Sequence, residues 1–242
     1  MLEKFQAAME RTLIPFANKL SQNKVLKAIS GGFSALLPII MVGAIASLLS
    51  GLNIEVYQNF ITSIGLKAIV SYISAYTTNM MAIYAVFSIG NSMAKQLECK
   101  DQSILVGIIS LMVFLLTIPL GVAKDEVTIA AAISTTYFGA PGLFTAMIIG
   151  CIVPLIYNIF VKHHIVLKMP DGVPPQIANG FSAIIPAVCI TAVFAAIRQL
   201  CALTSFGTLS GLIYGLLKTP LSHLTNSPIT FVVLLLFCNL LW

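Results

Sequence analysis

Charged residues along this chain fall in short clusters separated by long uncharged runs. Residues 28–54, 68–94, 102–123, 127–161 and 172–197 contain no Asp, Glu, Lys or Arg. Each run meets or exceeds the roughly 20 residues that an α-helix needs to cross a hydrocarbon core. The pattern predicts five spanning helices at about 32–52, 68–94, 103–122, 143–161 and 181–199. A sixth uncharged run opens after Lys218, where Ser227-Pro228 resembles a helix start with proline in the first turn.

Two further stretches are amphipathic rather than uniformly apolar. Leu2, Phe5, Met9, Leu13, Phe16 and Leu20 recur at spacings of three and four, with Glu3, Lys4, Gln6, Glu10 and Arg11 between them. This predicts either a helix lying in the membrane interface, interrupted near Pro15, or a soluble helix packed on the protein's inner face. Leu209, Leu212, Ile213, Leu216 and Leu217 keep helical spacing within residues 203–226, a second interfacial helix connecting two membrane units. The predicted fold is thus an all-α polytopic membrane protein. It has about five complete transmembrane helices, a partial sixth, an N-terminal amphipathic interfacial helix and a second interfacial connecting helix. Residues 127–142, uncharged but rich in Ser, Thr and Gly, read as a re-entrant segment, a surface segment or an early start to the fourth span.

Composition strengthens the membrane assignment. Hydrophobic residues make up 58% of the chain and charged residues 9%, against roughly 25% charged in soluble domains. The net charge of +5 needs no nucleic acid, because the basic residues are divided among loops. With the N-terminus inside, nine of the 13 Lys and Arg fall on cytoplasmic segments: Lys4, Arg11, Lys19, Lys24, Lys27, Lys95, Lys100, Lys162 and Lys168. That bias is the one expected of a multi-pass protein in a cell membrane. No signal peptide is visible among the scattered basic residues of the first 27 positions.

One phrase occurs twice. Residues 25–38 read VLKAISGGFSALLP and residues 173–186 read VPPQIANGFSAIIP, at a constant offset of 148 residues. Each copy lies where a basic stretch gives way to an uncharged run, as expected of one device that starts two equivalent helices. Pro38 cannot bond the carbonyl of Ser34, nor Pro186 that of Ser182. The phrase therefore predicts a kinked, closely packed beginning to both helices, unless both prolines sit in the first turn of helices starting at Ser34 and Ser182.

Candidate chemistry is sparse. The spans carry uncharged polar groups, Thr77, Thr78, Asn79 and Asn91, suited to a neutral hydroxylated solute or to helix packing. His163-His164 reads as a solvated pair, and Arg198 and His223 as snorkelling span ends. Cys99, Cys151, Cys189, Cys201 and Cys238 show no paired spacing and read as free thiols. No catalytic constellation, metal site or cofactor cradle is expected. The most specific string is Met169-Pro170-Asp171-Gly172-Val173-Pro174-Pro175-Gln176, whose prolines and glycine prescribe a stiff loop. It is either a rigid inter-helix turn or a fixed loop at a transport path, with Gly172, Val173, Pro174 and Pro175 as its candidate site residues.

That string, followed by Phe-Ser-Ala-x-x-Pro, resembles the membrane (IIC) component of bacterial sugar phosphotransferase systems, lactose/cellobiose type. Pro15-Phe16 and the Gly-Gly-Phe-Ser-Ala-Leu-Leu-Pro phrase match the same family. The resemblance implies a homodimeric permease for a disaccharide such as cellobiose, chitobiose or lactose. It implies cytoplasmic IIA and IIB partners that carry the phosphorylated residues, and no nucleic-acid partner. Family members are nearly twice this long, and their Trp-Phe-Phe-Gly-x-His-Gly motif would begin at Trp242, so the main sugar-binding residues are expected beyond that position. The expected division is residues 1–202 as a dimerisation-type membrane unit, 203–226 as the connector and 227–242 as the start of a substrate-binding unit. On this reading the 242 residues by themselves insert without saturable sugar binding. A non-transporting membrane scaffold or remnant that can dimerise is the competing reading.

Overall fold

The computed structural model describes residues 22–124, 129–170, 172–216 and 232. The amphipathic helix expected over the first 20 residues, Asp171, the end of the expected connector and nearly all of the expected sixth span lie outside the described residues, as do His223 and Cys238.

Helix α1 spans Lys24–Gly51 and starts eight residues before the predicted first span. The Asn23 side chain caps it, accepting from the Val25 amide at 2.9 Å. Its 28 residues extend about 42 Å, so Lys24 and Lys27 ride on the helix rather than end it. A short helix α2 (Glu55–Ser63) follows, then α3 (Leu66–Tyr76). Gly65 adopts φ +73° between them, a left-handed conformation that glycine accepts without penalty. The direction changes there by 92°.

The predicted second span is broken. After α3, a 3₁₀ turn at Thr78–Met80 leads into α4 (Met81–Ala94). Thr77 and Thr78 pack against Gly43 of α1, and the Thr77 hydroxyl donates to the Ile73 carbonyl at 2.7 Å. The break's orphan groups find partners: the Ala82 amide donates to the Phe138 carbonyl at 2.7 Å and Tyr84 Oη to the Tyr76 carbonyl at 2.8 Å. These threonines serve packing, and Asn79 presents its backbone to Gly139.

Helix α5 runs over Ser103–Thr117 and is followed by a two-stranded antiparallel hairpin, β1 (Leu120–Lys124) and β2 (Ile129–Ile133). Its register pairs Leu120 with Ile133 and Lys124 with Ile129. The hairpin occupies much of the region expected to be re-entrant, superficial or helical, and β1 shortens the third span. After a 3₁₀ turn at Thr135–Tyr137, α6 runs over Ala140–Lys162, with Pro141 in its first turn. Helices α7 (Pro175–Ser182) and α8 (Ile184–Leu203) are separated by Ala183 alone and together make a second rod of 28 residues, Pro175–Ala202. Residues 209–216 form a further helix, α9.

Among the described residues, four helices are long and apolar enough to cross a membrane, and the bent α2–α4 pair can supply a fifth. The core centres on α4, whose Ala82, Ala85, Val86 and Ile89 are fully buried. It meets Val106, Val113 and Phe114 of α5 and Ala146, Ile149 and Val153 of α6. Small residues set the spacing, as expected of membrane helices: a Cβ on Gly90 would lie 2.6 Å from Ser110 Oγ, and one on Gly150 3.1 Å from Ile89 Cβ. Met41, Ile45 and Leu48 of α1 face outward and exposed, the surface that lipid rather than water accepts.

The repeated phrase has two outcomes. In the first copy Pro38 lies well inside a continuous helix, with Gly32 pressed on Ile89 and accepting at its carbonyl from Ser88 Oγ at 2.9 Å. In the second copy the helix is interrupted at Ala183, and Pro186 sits in the first turn of α8. A Cβ on Gly180 would meet nothing within 4 Å. The first copy is braced on α4 at Gly32, whereas Gly180 of the second has no described atom so close.

Arg198, expected to snorkel at a span end, donates from Nη1 to the Leu116 carbonyl at 3.0 Å. That carbonyl belongs to the last turn of α5, where helices leave acceptors unpaired and favour positive charge. Arg198→Ala is expected to cost about 1–2 kcal/mol, with Arg198→Lys restoring part, read as thermal unfolding in detergent.

Candidate functional site

Three predicted inner segments meet at one end of the bundle. Gly31 of α1 abuts Ser92 near the end of α4. Lys162 closes α6 and pairs with Glu98 of the α4–α5 loop at 3.2 Å. Both partners are more than half exposed, so the pair adds at most about 1 kcal/mol. The hairpin, Arg198 and the Thr77 break lie toward the opposite end.

At the end where these segments meet, residues 163–174 connect α6 to α7. His163 and His164 are exposed just past α6, and His164 takes φ +56°. Gly172 adopts φ +104°, which explains a glycine there: any side chain would be strained. Pro174 is extended, with φ −54° and ψ 137°, and Pro175 occupies the first turn of α7. Pro174's ring fixes φ where this conformation needs it. Gly172 and Pro174 thus take backbone angles that glycine and proline favour, on the approach to α7.

Beside this loop lies an open cavity of about 460 Å³. Lys168, Met169, Gly172, Val173, Asn179 and Ser182 are among its lining residues. Pro174 and Pro175 do not line it; they set the direction of α7, which carries Asn179 and Ser182 to its wall.

A polar network, unforeseen from the sequence, holds that wall. Tyr157 Oη of α6 donates to Gln102 Oε1 at 2.6 Å. Gln102 Nε2 donates to Ser182 Oγ at 2.9 Å and to Asn179 Oδ1 at 3.2 Å. Ser182 Oγ in turn donates to the Asn179 carbonyl at 2.9 Å. Next along α6, Asn158 Oδ1 accepts from the Glu98 amide at 3.0 Å, tying down the α4–α5 loop. Elsewhere in the bundle, Asn91 Oδ1 is a buried oxygen without a hydrogen-bond partner among the described residues.

Cys99, in the same α4–α5 loop, is 3% exposed. Burial pushes its thiol up to about 11, with the Glu98 carboxylate adding to the rise against a lowering backbone hydrogen bond. Only the thiolate reacts readily. Maleimide labelling of Cys99 near neutral pH is expected to run at least about 100-fold slower than labelling of Lys100→Cys, a comparison read by intact-protein mass.

The family model described as Phosphotransferase system, EIIC matches residues 30–242. The chain belongs to this family. It is 30% identical over 251 residues to the PTS system cellobiose-specific EIIC component of Geobacillus stearothermophilus, covering 100% of this chain and 55% of that protein. Similarity to the PTS system galactose-specific EIIC component of Lactococcus lactis subsp. cremoris is 27% over 255 residues, covering 100% of this chain and 56% of that one. Among solved structures, the transporter ChbC, the IIC component from the N,N'-diacetylchitobiose-specific phosphotransferase system, matches with a TM-score of 0.79. That match has 30% identity and covers 90% of this chain and 52% of that one. The chain spans about half the length of the relatives it matches.

The chain is thus a helical membrane protein of the EIIC family, and the 163–174 connection, α7 and α8 lie within the matched region.

Proposed function

We propose that this protein serves in a permease that brings a disaccharide of the cellobiose or chitobiose kind across the cell membrane. Cytoplasmic IIA and IIB partners phosphorylate the incoming sugar. The observation carrying this reading is the fold-level match, at 30% identity, to the chitobiose transporter along 90% of the chain. The similarity to a cellobiose-specific component supports the same class of solute.

The network end faces the cytoplasm in this proposal. Lys24, Lys27, Lys95, Lys100, Lys162 and Lys168 belong to the segments joined there, which the positive-inside bias favours. Hydroxyl and amide groups of Asn179 and Ser182 on the cavity wall suit a neutral, hydroxyl-rich solute. The chain's part is to shape and position the inner side of the path, while chemistry on the sugar belongs to the soluble partners.

Deleting the gene in its host and measuring uptake of labelled cellobiose, chitobiose and lactose tests the proposal. Uptake of at least one sugar should fall to background and return with the gene. Unchanged uptake of all three favours the non-transporting scaffold.

A further inference from the structure

Helix α7 is held in an unusual way for a membrane-protein helix. It buries none of its residues completely; Ile177 and Phe181 stand about half exposed. No close neighbour receives Gly180. Its side-chain hydrogen bonds to the bundle beyond α8, among the described residues, are the two from Gln102 Nε2 to Asn179 and Ser182. A polar attachment can exchange for water or for a sugar hydroxyl, because each such bond contributes only about 0.5–1.5 kcal/mol net.

The two ends of that attachment differ. On one side, Tyr157 is fully buried in the α4–α6 core and fixes Gln102 through its 2.6 Å bond. On the other, Asn179 and Ser182 belong to a helix that meets α8 across the single interruption at Ala183. Proline at 186 removes one backbone bond at this same point. Both acceptors of Gln102 also line the 460 Å³ cavity.

We propose that Gln102 is a positioning residue: a latch, anchored by Tyr157, that sets where residues 172–182 stand at the inner side of the path and that opens and closes during transport. With the latch closed, both protons of Nε2 are used and α7 continues α8 as one rod. With it open, Asn179 and Ser182 turn their amide and hydroxyl to the cavity, and α7 pivots at Ala183. The amide is suited to this role, since it accepts from the fixed side and donates to the moving side at once. The transport role rests on the permease reading, whereas the latch itself does not.

Two readouts separate them. Val173→Cys is half-buried beside the cavity, and its maleimide labelling rate in inside-out membranes reports how freely residues 172–182 move. In that background Gln102→Met, which keeps length and loses every bond, should raise the rate at least threefold. Gln102→Glu keeps the acceptor for Tyr157 and loses both donors, and it should do nearly the same. Labelling at Lys100→Cys, measured in parallel, should not change. For uptake in whole cells, Gln102→Met should lower the maximal rate at least threefold at unchanged membrane abundance. Equal labelling with and without Gln102 would overturn the latch. Equal acceleration at residue 100 would do so too, by showing general loosening. Faster labelling at residue 173 with no uptake to measure in the native protein leaves the latch standing and refutes the permease reading. Faster labelling with normal uptake kinetics refutes the positioning role in transport.

Discussion

Alanine at Gly32 is expected to destabilise the protein by about 3 kcal/mol or more, whereas alanine at Gly180, the same position of the repeated phrase, is expected to be harmless. The Cβ at residue 32 would lie 2.5 Å from Ile89 Cγ1, 2.8 Å from its Cα and 2.9 Å from its backbone nitrogen. Backbone cannot step aside, so α1 and α4 must separate. Separation also strips Ser88, a buried hydroxyl, of its 2.9 Å bond to the Gly32 carbonyl, and an unpaired buried hydroxyl adds its own penalty. At Gly180 nothing lies within 4 Å. There alanine removes glycine's backbone entropy from α7 and gains up to about 1 kcal/mol. Thermal unfolding in detergent should show Gly32→Ala lower by about 6–12 °C and Gly180→Ala unchanged or raised. Equal shifts at the two positions would contradict the asymmetry between the copies.

Replacing Pro174 and Pro175 together by alanine is the second large effect, and it falls on transport rather than on abundance. Pro174 holds an extended conformation that the proline ring already prefers, and Pro175 starts α7. Removing both rings releases roughly 1–2 kcal/mol of restraint that each working position of the loop must then supply. Uptake by the intact permease should drop on the order of 10-fold, while membrane abundance stays within about twofold of the native protein, measured by quantitative blotting. If uptake and abundance fall in parallel, the prolines serve only as a turn.

The helical membrane fold was legible because charge is so costly in lipid that its absence marks the spans. Boundaries were less so. Lys24 and Lys27 sit inside α1 because long basic side chains reach the interface from within a helix. The break at Thr77 escaped because a polar trio in an apolar run carries no charge, and its stability depends on Phe138 and Gly43, far away in sequence. The backbone conformation of Gly172 and Pro174 was legible because glycine and proline act locally. Gln102 did not show itself, since its partners are 55, 77 and 80 residues distant and only the packed bundle brings them together. The partner of Arg198 was hidden for the same reason: the Leu116 carbonyl lies 82 residues away. The repeated phrase signalled two similar rods, yet which copy would be braced depended on α4, a neighbour that the phrase does not encode.

Import coupled to phosphorylation is the central claim, and labelled-sugar uptake into right-side-out vesicles from the host tests it most directly. Vesicles loaded with phosphoenolpyruvate and the soluble partners should accumulate labelled disaccharide phosphate. Vesicles from the gene-deleted strain should not. Labelled sugar phosphate appearing equally in both, or only free sugar accumulating in a gene-dependent way, would contradict the account.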